Sequence, residues 1–368
     1  MKKFLTVIII GLPLVILLSI LIVGIGDNNF GTSNKDYIKQ YDVNANDIKF
    51  DDKNGGGPKI KVYLTKEDKI TEMFLEEYVR GVISAEMPAE FNIEALKAQA
   101  VAARTYALSH MKGYGNQNCD IGKGADICDT VHCQAYMGKE ERLKLWPQKT
   151  SGSYWNKITE AVMKTEGEIM KYDGKLVLQP YYFSTSDGRT ENSKDIFNID
   201  EPYLKSVVSY GDEASNKYKN LKKISYSSFV NTINNKYNKA GITTNKVKNQ
   251  IVILNRFQGG SVNQVKIANL TITGSAFRNL FNLDSENFSF KFNTQNIEIT
   301  CKGYGHDVGM SQWGANSMGK AGSNYQEILK HYYQGITVSK IWISIKTTNI
   351  LSFFFISYRK IKEFEERF

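Results

Sequence analysis

The sequence predicts an α+β protein, in which an N-terminal transmembrane helix is followed by a mixed helix-and-sheet region. Three observations predict it. An unbroken uncharged run covers Phe4 to Ile25. Period-two alternation at Lys59–Leu64, and an Asp173-Gly174 turn between apolar runs, mark strands and a hairpin. Apolar residues at helical spacing, then an alanine-rich segment, mark two consecutive helices between them.

At about 1.5 Å per residue the apolar run spans roughly 33 Å, enough for a hydrocarbon core of about 30 Å. Lys2 and Lys3 precede it and Asp27 follows it, so the N-terminus is expected in the cytoplasm and the bulk of the chain outside. A cleaved signal peptide is the competing reading. Its apolar core is usually about 7–15 residues and ends in a small-residue site, a pattern absent from the residues after Ile25. Residues 1–27 are thus read as a single-pass anchor. Residues 28–57, polar and ending in Gly55-Gly56-Gly57, are read as a flexible linker. Residues 58–345 form the extracytoplasmic region, with lobes at about 58–205 and 206–345. The sequence assigns no role to the tail, 346–368. The formal net charge of +9 is spread along the chain, which suits anionic surroundings such as cell wall or lipid headgroups. No arginine cluster or recognition module points to nucleic acid.

Within the extracytoplasmic region, Lys59–Leu64 reads as a strand and Thr71–Glu86 as a helix with a stripe of Leu75, Tyr78, Val79, Val82 and Ile83. Pro88 ends it. A second helix is expected from about Asn92 to Met111, close-packed through Ala95, Ala98, Ala100, Ala102 and Ala103. Residues 115–133 read as a loop, and a third helix follows Ser153. Glu168–Tyr172 and Lys175–Tyr182 form the hairpin, followed by the hydroxyl-rich loop Phe183–Thr190. Short strands are expected at Gln250–Asn255 and Val265–Ile272. A glycine-rich stretch at 303–322 precedes a helix capped by Ser323 and Gln326.

Four groups can carry chemistry. Glu86 continues the apolar stripe, four beyond Val82 and three beyond Ile83; desolvation there raises a carboxylate's pKa, as a general acid requires. The alternative is an exposed glutamate at a frayed helix end. Arg104 shares a face with Ala100, Val101 and Leu108, so its guanidinium points inward and needs an acidic partner: Glu86, a ligand carboxylate, or a purely structural ion pair. Cys119, Cys128, His132 and Cys133, spaced C-x8-C-x3-H-C, suit a structural tetrahedral zinc ion; disulfides, with Cys301 as a further thiol, are the alternative outside the cytoplasm. In Gly303–Gly314, His306, Gln312 and Trp313 offer a polar edge and a flat face for a sugar ring, or His306 is a satisfied core histidine.

Taken together, Ser84-Ala-Glu-Met-Pro88, the helix Ala95–Ala107, the loop Phe183–Glu191 and Gly303-Tyr-Gly-His through Gly-Met-Ser-Gln-Trp-Gly-Ala315 resemble, in order and spacing, the stage II sporulation protein D family over roughly residues 59–340. The resemblance implies a peptidoglycan lytic transglycosylase with a glycan-binding groove. It would act on peptide-stripped strands during forespore engulfment, with an amidase and a membrane protein as partners, in the mother-cell membrane facing the forespore. The family's catalytic glutamate falls on Glu86. Gln99, Arg104, Ser184, Ser186, Gly188, His306 and Gln312 would hold the glycan, and no cofactor is required for the chemistry. Relatives of the domain resemble amidase enhancers, so a non-catalytic wall-binding module is the rival function, and a hydrolase with a second carboxylate a third. Asp307 stands where the family often has glycine, and the end after about Ile345 does not resemble it.

Overall fold

A computed structural model describes residues 57–341. The expected membrane helix, the linker up to residue 56 and the tail lie outside the described residues. Among those described, no helix is long and apolar enough to cross a membrane. Helices and short sheets alternate throughout, so this part of the chain is α+β.

β1 (Lys59–Leu64) pairs antiparallel with β2 (Lys69–Phe74). The helix expected from Thr71 therefore begins later, as α1 (Leu75–Glu86). Pairing with β1 satisfies the backbone of residues 69–74, and that outweighs one more turn of helix. α2 (Ile93–His110) is capped by the Asn92 side chain, which accepts from the Glu94 amide at 2.9 Å. Its alanines are fully buried, as the composition predicts. The loop that follows contains the two-residue β3 (Ile127–Cys128), parallel to β1. Next come α3 (Lys139–Leu145), which was not expected, and α4 (Gln148–Lys164). α4 starts before the predicted Ser153 because Pro147 sits at its N-cap, where its missing N–H costs nothing.

β4 (Glu168–Tyr172) and β5 (Lys175–Leu176) form the predicted hairpin, with positive φ at both Asp173 (49°) and Gly174 (73°). The second arm, expected to reach Tyr182, stops at Leu176. Pro180 has no N–H with which to carry the ladder on. β6 (Tyr182–Phe183) and α5 (Ser193–Phe197) complete the first half.

The chain then builds β7 (Lys219–Ser225), α6 (Tyr226–Lys236), α7 (Val247–Gln250), β8 (Ile251–Arg256), β9 (Val262–Ile267), β10 (Leu270–Thr273), α8 (Gly274–Phe281), β11 (Asn287–Phe292) and β12 (Asn296–Lys302). These form two three-stranded sheets, ordered β10-β9-β8 and β11-β12-β7. The single strand expected over 265–272 is two, reversing at Ala268 (φ 51°). β13 (Met310–Ser311) returns to pair parallel with β6. α9 (Gln312–Lys320) occupies part of the glycine-rich stretch, for which no helix was expected. α10 (Tyr325–Tyr332) has its capping box at Asn324 and Glu327, one residue beyond the predicted pair. β14 (Thr337–Lys340) closes on β4.

Burial groups the apolar side chains into two cores rather than dividing them near residue 205. The first draws on residues 60–204 and again on 308–336. The second draws on 229–301. Both oxygens of the buried Glu191 carboxylate accept backbone amides from the second part, Gly259 at 2.9 Å and Ser261 at 2.8 Å.

Candidate active site

Glu86 is the last residue of α1 and is half-buried. Its Oε1 accepts the Ala135 amide at 2.9 Å, and its Oε2 accepts Gln312 Nε2 at 3.5 Å. Burial raises its pKa above the ordinary carboxylate value, and the two hydrogen bonds offset part of that rise. No second carboxylate contributes to the shift. Burial thus favours the protonated form more than in a free carboxylate, while two N–H donors receive the ionised form.

Each donor is held in place. Gln134 and Ala135 lie over α1 because Gly81 leaves room. A Cβ there would stand 2.2 Å from Tyr136 Cε2, while the Tyr136 ring stacks on Tyr78 with centroids 5.5 Å apart. Gln134 Nε2 donates to the Tyr78 hydroxyl and the Ala103 carbonyl, both at 3.3 Å. Its Oε1 accepts the Tyr182 hydroxyl at 2.9 Å. Gln312 opens α9, where Ser311 is the N-cap. The Ser311 hydroxyl donates to the buried Asp212, which also accepts Ser209 Oγ at 2.6 Å and the Ser186 amide at 2.8 Å.

The hydroxyl-rich loop is thereby tied to the glycine-rich one. The Trp313 amide donates to the Ser184 carbonyl at 3.1 Å, and Thr185 and Tyr304 exchange backbone hydrogen bonds. Ser186 is fully buried, and its Oγ accepts the Gly188 amide at 3.3 Å. Gly188 has φ 122°, a conformation that only glycine adopts without strain.

The remaining expected residues are not on the Glu86 network. Arg104 is wholly buried and grips Glu76 with both ends of its fork, Nε to Oε1 at 2.8 Å and Nη2 to Oε2 at 2.6 Å. Its Nη1 donates to the Glu168 carbonyl at 3.0 Å. This is the structural ion pair, in place of a glycan contact. Gln99 is also fully buried, and its amide makes no hydrogen bond among the described residues. His306 is caged by Tyr181, Phe183 and Phe197, with ring centroids 5.2–5.9 Å away. Its Nδ1 accepts the Val308 amide at 3.2 Å, and desolvation lowers its pKa to about 4, so the half-buried ring is held neutral against these aromatic side chains.

Sequence reasoning missed Glu76, Gln134, Ala135, Tyr182 and Asp212. Glu76 carried a signal, since it lies three before Val79 and seven before Ile83, on the same stripe as Glu86. The other four carried none.

The thiols and imidazole of Cys119, Cys128, His132 and Cys133 all lie within 4.8 Å of one another. His132 Nδ1 is 3.7, 3.8 and 3.4 Å from Cys119, Cys128 and Cys133 Sγ respectively, and the Cys119 and Cys133 sulfurs are 3.4 Å apart. Bond lengths of about 2.3 Å to sulfur and 2.0–2.1 Å to nitrogen around a tetrahedral ion require separations of roughly 3.5–3.8 Å. A disulfide would require about 2.05 Å; all four cysteines are free. Cys301 belongs to the second core.

These features define a class: α+β proteins whose buried alanine-rich helix packs against a neighbour ending in one half-buried glutamate. The Stage II sporulation protein family model matches residues 63–172, the span that contains Glu86 and the Cys/His cluster. The chain is 38% identical over 281 residues to stage II sporulation protein D of Bacillus subtilis (strain 168), covering 76% of this chain and 79% of that protein. The protein of the same name from Bacillus amyloliquefaciens is also 38% identical, over 76% of this chain and 78% of its own length. The chain belongs to the stage II sporulation protein D family. It is also 29% identical to a Bacillus subtilis amidase enhancer, over 71% of this chain and 40% of that protein.

Proposed function

We propose that this sporulation-family protein is a peptidoglycan lytic transglycosylase. It would cleave N-acetylmuramic acid–N-acetylglucosamine bonds of peptide-stripped glycan, with Glu86 as both acid and base. The observation that carries this reading is the Glu86 carboxyl, raised in pKa by burial and facing two N–H donors. Protonated Glu86 gives its proton to the glycosidic oxygen as the bond to C1 breaks and positive charge develops on the muramyl ring. The Ala135 and Gln312 N–H groups receive the carboxylate so formed. That carboxylate takes the proton of the muramyl C6 hydroxyl, the oxygen closes on C1, and a 1,6-anhydro end results. Glu86 is reprotonated in the same step, so atoms and charge balance with no water consumed. One carboxylate suffices for this route, which consumes no water.

The test is digestion of denuded glycan strands by the full chain in detergent. Glu86→Gln is expected to reduce anhydro-muramyl ends by about 10²–10⁴-fold. Equal release by both proteins, or incorporation of labelled water without anhydro ends, overturns the reading. The amidase-enhancer relative supports a second reading, a wall-binding module that stimulates a partner amidase. Unchanged stimulation of an amidase by the Glu86→Gln protein, with no cleavage by either, would favour it.

Cys119, Cys128, His132 and Cys133 would hold a structural zinc ion. Cys133 directly precedes Gln134 and Ala135, so closing the cluster fixes the segment that meets Glu86. One zinc per chain by elemental analysis is expected; no metal together with no free thiols overturns it. Residues 1–27 would anchor the protein with its N-terminus in the cytoplasm and the site outside, in the mother-cell membrane facing the forespore. The linker's coil reach of roughly 30 Å would then keep cutting close to the membrane. An amidase and a membrane protein of the engulfment machinery would be its partners.

A further inference from the structure

The net charge forms no tract in the sequence, but the two parts of the chain share it unequally. Residues 206–302 carry 13 Lys and Arg against 5 Asp and Glu, a net +8, whereas residues 57–205 carry 20 against 22. Part of that excess lines one face of the sheet formed by β7 and β12. Lys219 pairs directly across from Lys302, and both are exposed. Like charges placed opposite each other on a sheet repel. Two residues before Lys219, the exposed Lys217 has its ammonium 4.3 Å from the centre of the Tyr304 ring, which is itself 37% exposed. The Lys219–Lys302 pair closes the end of the two strands, and Lys217, two residues before β7, meets Tyr304, two residues after β12, just beyond it, so the four form one exposed row.

The two ends of this strand pair differ. At the far end Lys223 and Lys291 share Glu298, at 3.1 and 3.6 Å. At the near end Lys217, Lys219 and Lys302 form no salt bridge among the described residues. Asp187 feels the charge of Lys302, but it is bonded to the Asn287 amide and burial raises its pKa to about 7, so it compensates only in part. The uncompensated end is tied to the candidate site through the backbone: Tyr304 is bridged to Thr185, in the hydroxyl-rich loop whose Ser184 carbonyl accepts the amide of Trp313, the neighbour of Gln312.

We propose that Lys217, Lys219, Lys302 and Tyr304 form a second glycan-binding surface, continuous with the Glu86 site, that takes the lactyl carboxylates of the peptide-stripped strand. The proposal rests on the glycan reading above. Stripping the peptide breaks its amide bond to the lactyl group and leaves a free carboxylate on each muramyl residue, so a denuded strand is a polyanion and an intact one is not recognised in the same way. The bare lysines supply the complementary charge, and the tyrosine supplies a flat face for a ring. Arg104, being spent on Glu76, cannot serve this purpose.

The test measures binding of fluorescently labelled denuded strands to the full chain in detergent, in a Glu86→Gln background so that nothing is cut. Lys219→Gln with Lys302→Gln is expected to weaken binding roughly two- to thirtyfold at low salt, the range two exposed charge pairs supply, and less at high salt. Lys219→Arg with Lys302→Arg is expected to restore it. Strands whose carboxylates have been amidated should bind both proteins equally weakly, and phosphatidylglycerol vesicles should not distinguish them. Unchanged affinity for denuded strands, an equal loss on amidated strands, or a loss confined to vesicles each overturns the proposal. Lysine-dependent binding by an active-site-intact protein that makes no anhydro ends would sink the transglycosylase reading and leave this one standing.

Discussion

Replacing Arg104 by methionine separates a structural role for this residue from a glycan-binding one. The guanidinium is wholly buried, and its charge is matched by Glu76, whose side chain is 4% exposed. Methionine keeps much of the volume but leaves the Glu76 carboxylate in the core with only the Gly167 amide, at 3.1 Å, as a remaining donor. Breaking a buried pair in this way costs about 3–5 kcal/mol. At about 2–4 °C per kcal/mol for a domain of this size, Tm should fall by roughly 10 °C. Glu76→Gln should cost a similar amount, because it leaves the guanidinium facing carbonyls alone. Combining Arg104→Met with Glu76→Leu removes both charges, so the double variant should be far more stable than the sum of the two losses predicts. Thermal unfolding followed by near-UV circular dichroism reads all of these, and glycan binding is measured well below the transition. An Arg104→Met protein that unfolds within about 2 °C of wild type yet loses denuded-glycan affinity would refute the structural assignment.

Three further outcomes follow. If Glu86 acts as the acid in the proposed transglycosylase reaction, its first step needs the protonated form, so cleavage should decline as pH rises through the raised pKa. The same shift makes the ionised folded state costly above that pKa, so Glu86→Gln should leave stability at neutral pH unchanged or higher, as denaturant titration at pH 5 and pH 8 will show. His306, lowered to about 4 by burial, contributes stability that is fully present above its unfolded value of about 6.5 and is lost as pH falls toward 4; His306→Gln should flatten that acid limb of the Tm–pH curve. Gly81→Ala places a methyl 2.2 Å from the Tyr136 ring, so despite better helix propensity it should destabilise by about 1–3 kcal/mol. It should also cut the cleavage rate by displacing Ala135, and a variant with full activity would sever that link.

Much of the first core was legible because its rules are local. The α1 stripe located Glu86, the alanines located α2, and Asp173-Gly174 located the β4–β5 turn. The same stripe also contains Glu76, so an inward arginine and an inward glutamate were both readable; what could not be read was which carboxylate the arginine meets. α3 escaped because none of its residues is buried, so no apolar period marks it. α9 escaped because its glycines gave no helix signal. They serve packing instead: a Cβ at Gly314 would meet the Tyr332 hydroxyl at 2.0 Å, and one at Gly319 would meet the Asn92 side chain at 2.9 Å. The donors to Glu86 come from 49 and 226 residues further along the chain, and no periodicity encodes such a meeting.

The glycine-rich segment shows what those distant contacts demand. From sequence its polar residues look like a sugar-binding edge. In the fold, His306 is half-buried against three aromatic rings and Asp307 takes a left-handed φ of 63°, a conformation that glycine adopts freely and aspartate tolerates. The Asp307 carbonyl accepts the Glu191 amide at 2.7 Å, and Glu191 in turn receives the Gly259 and Ser261 amides. Asp307 therefore keeps the backbone job of a glycine at that position and adds a buried carboxyl whose pKa is pushed up by burial first and by the charge of Asp187 second. The segment pins the second core to the first and delivers Gln312 to Glu86, so the chemistry depends on it through one amide group at its end. On this account, substitutions at His306 or Asp307 act on the Gln312–Glu86 distance, and they should lower the cleavage rate without weakening the grip of the lysine row on the strand.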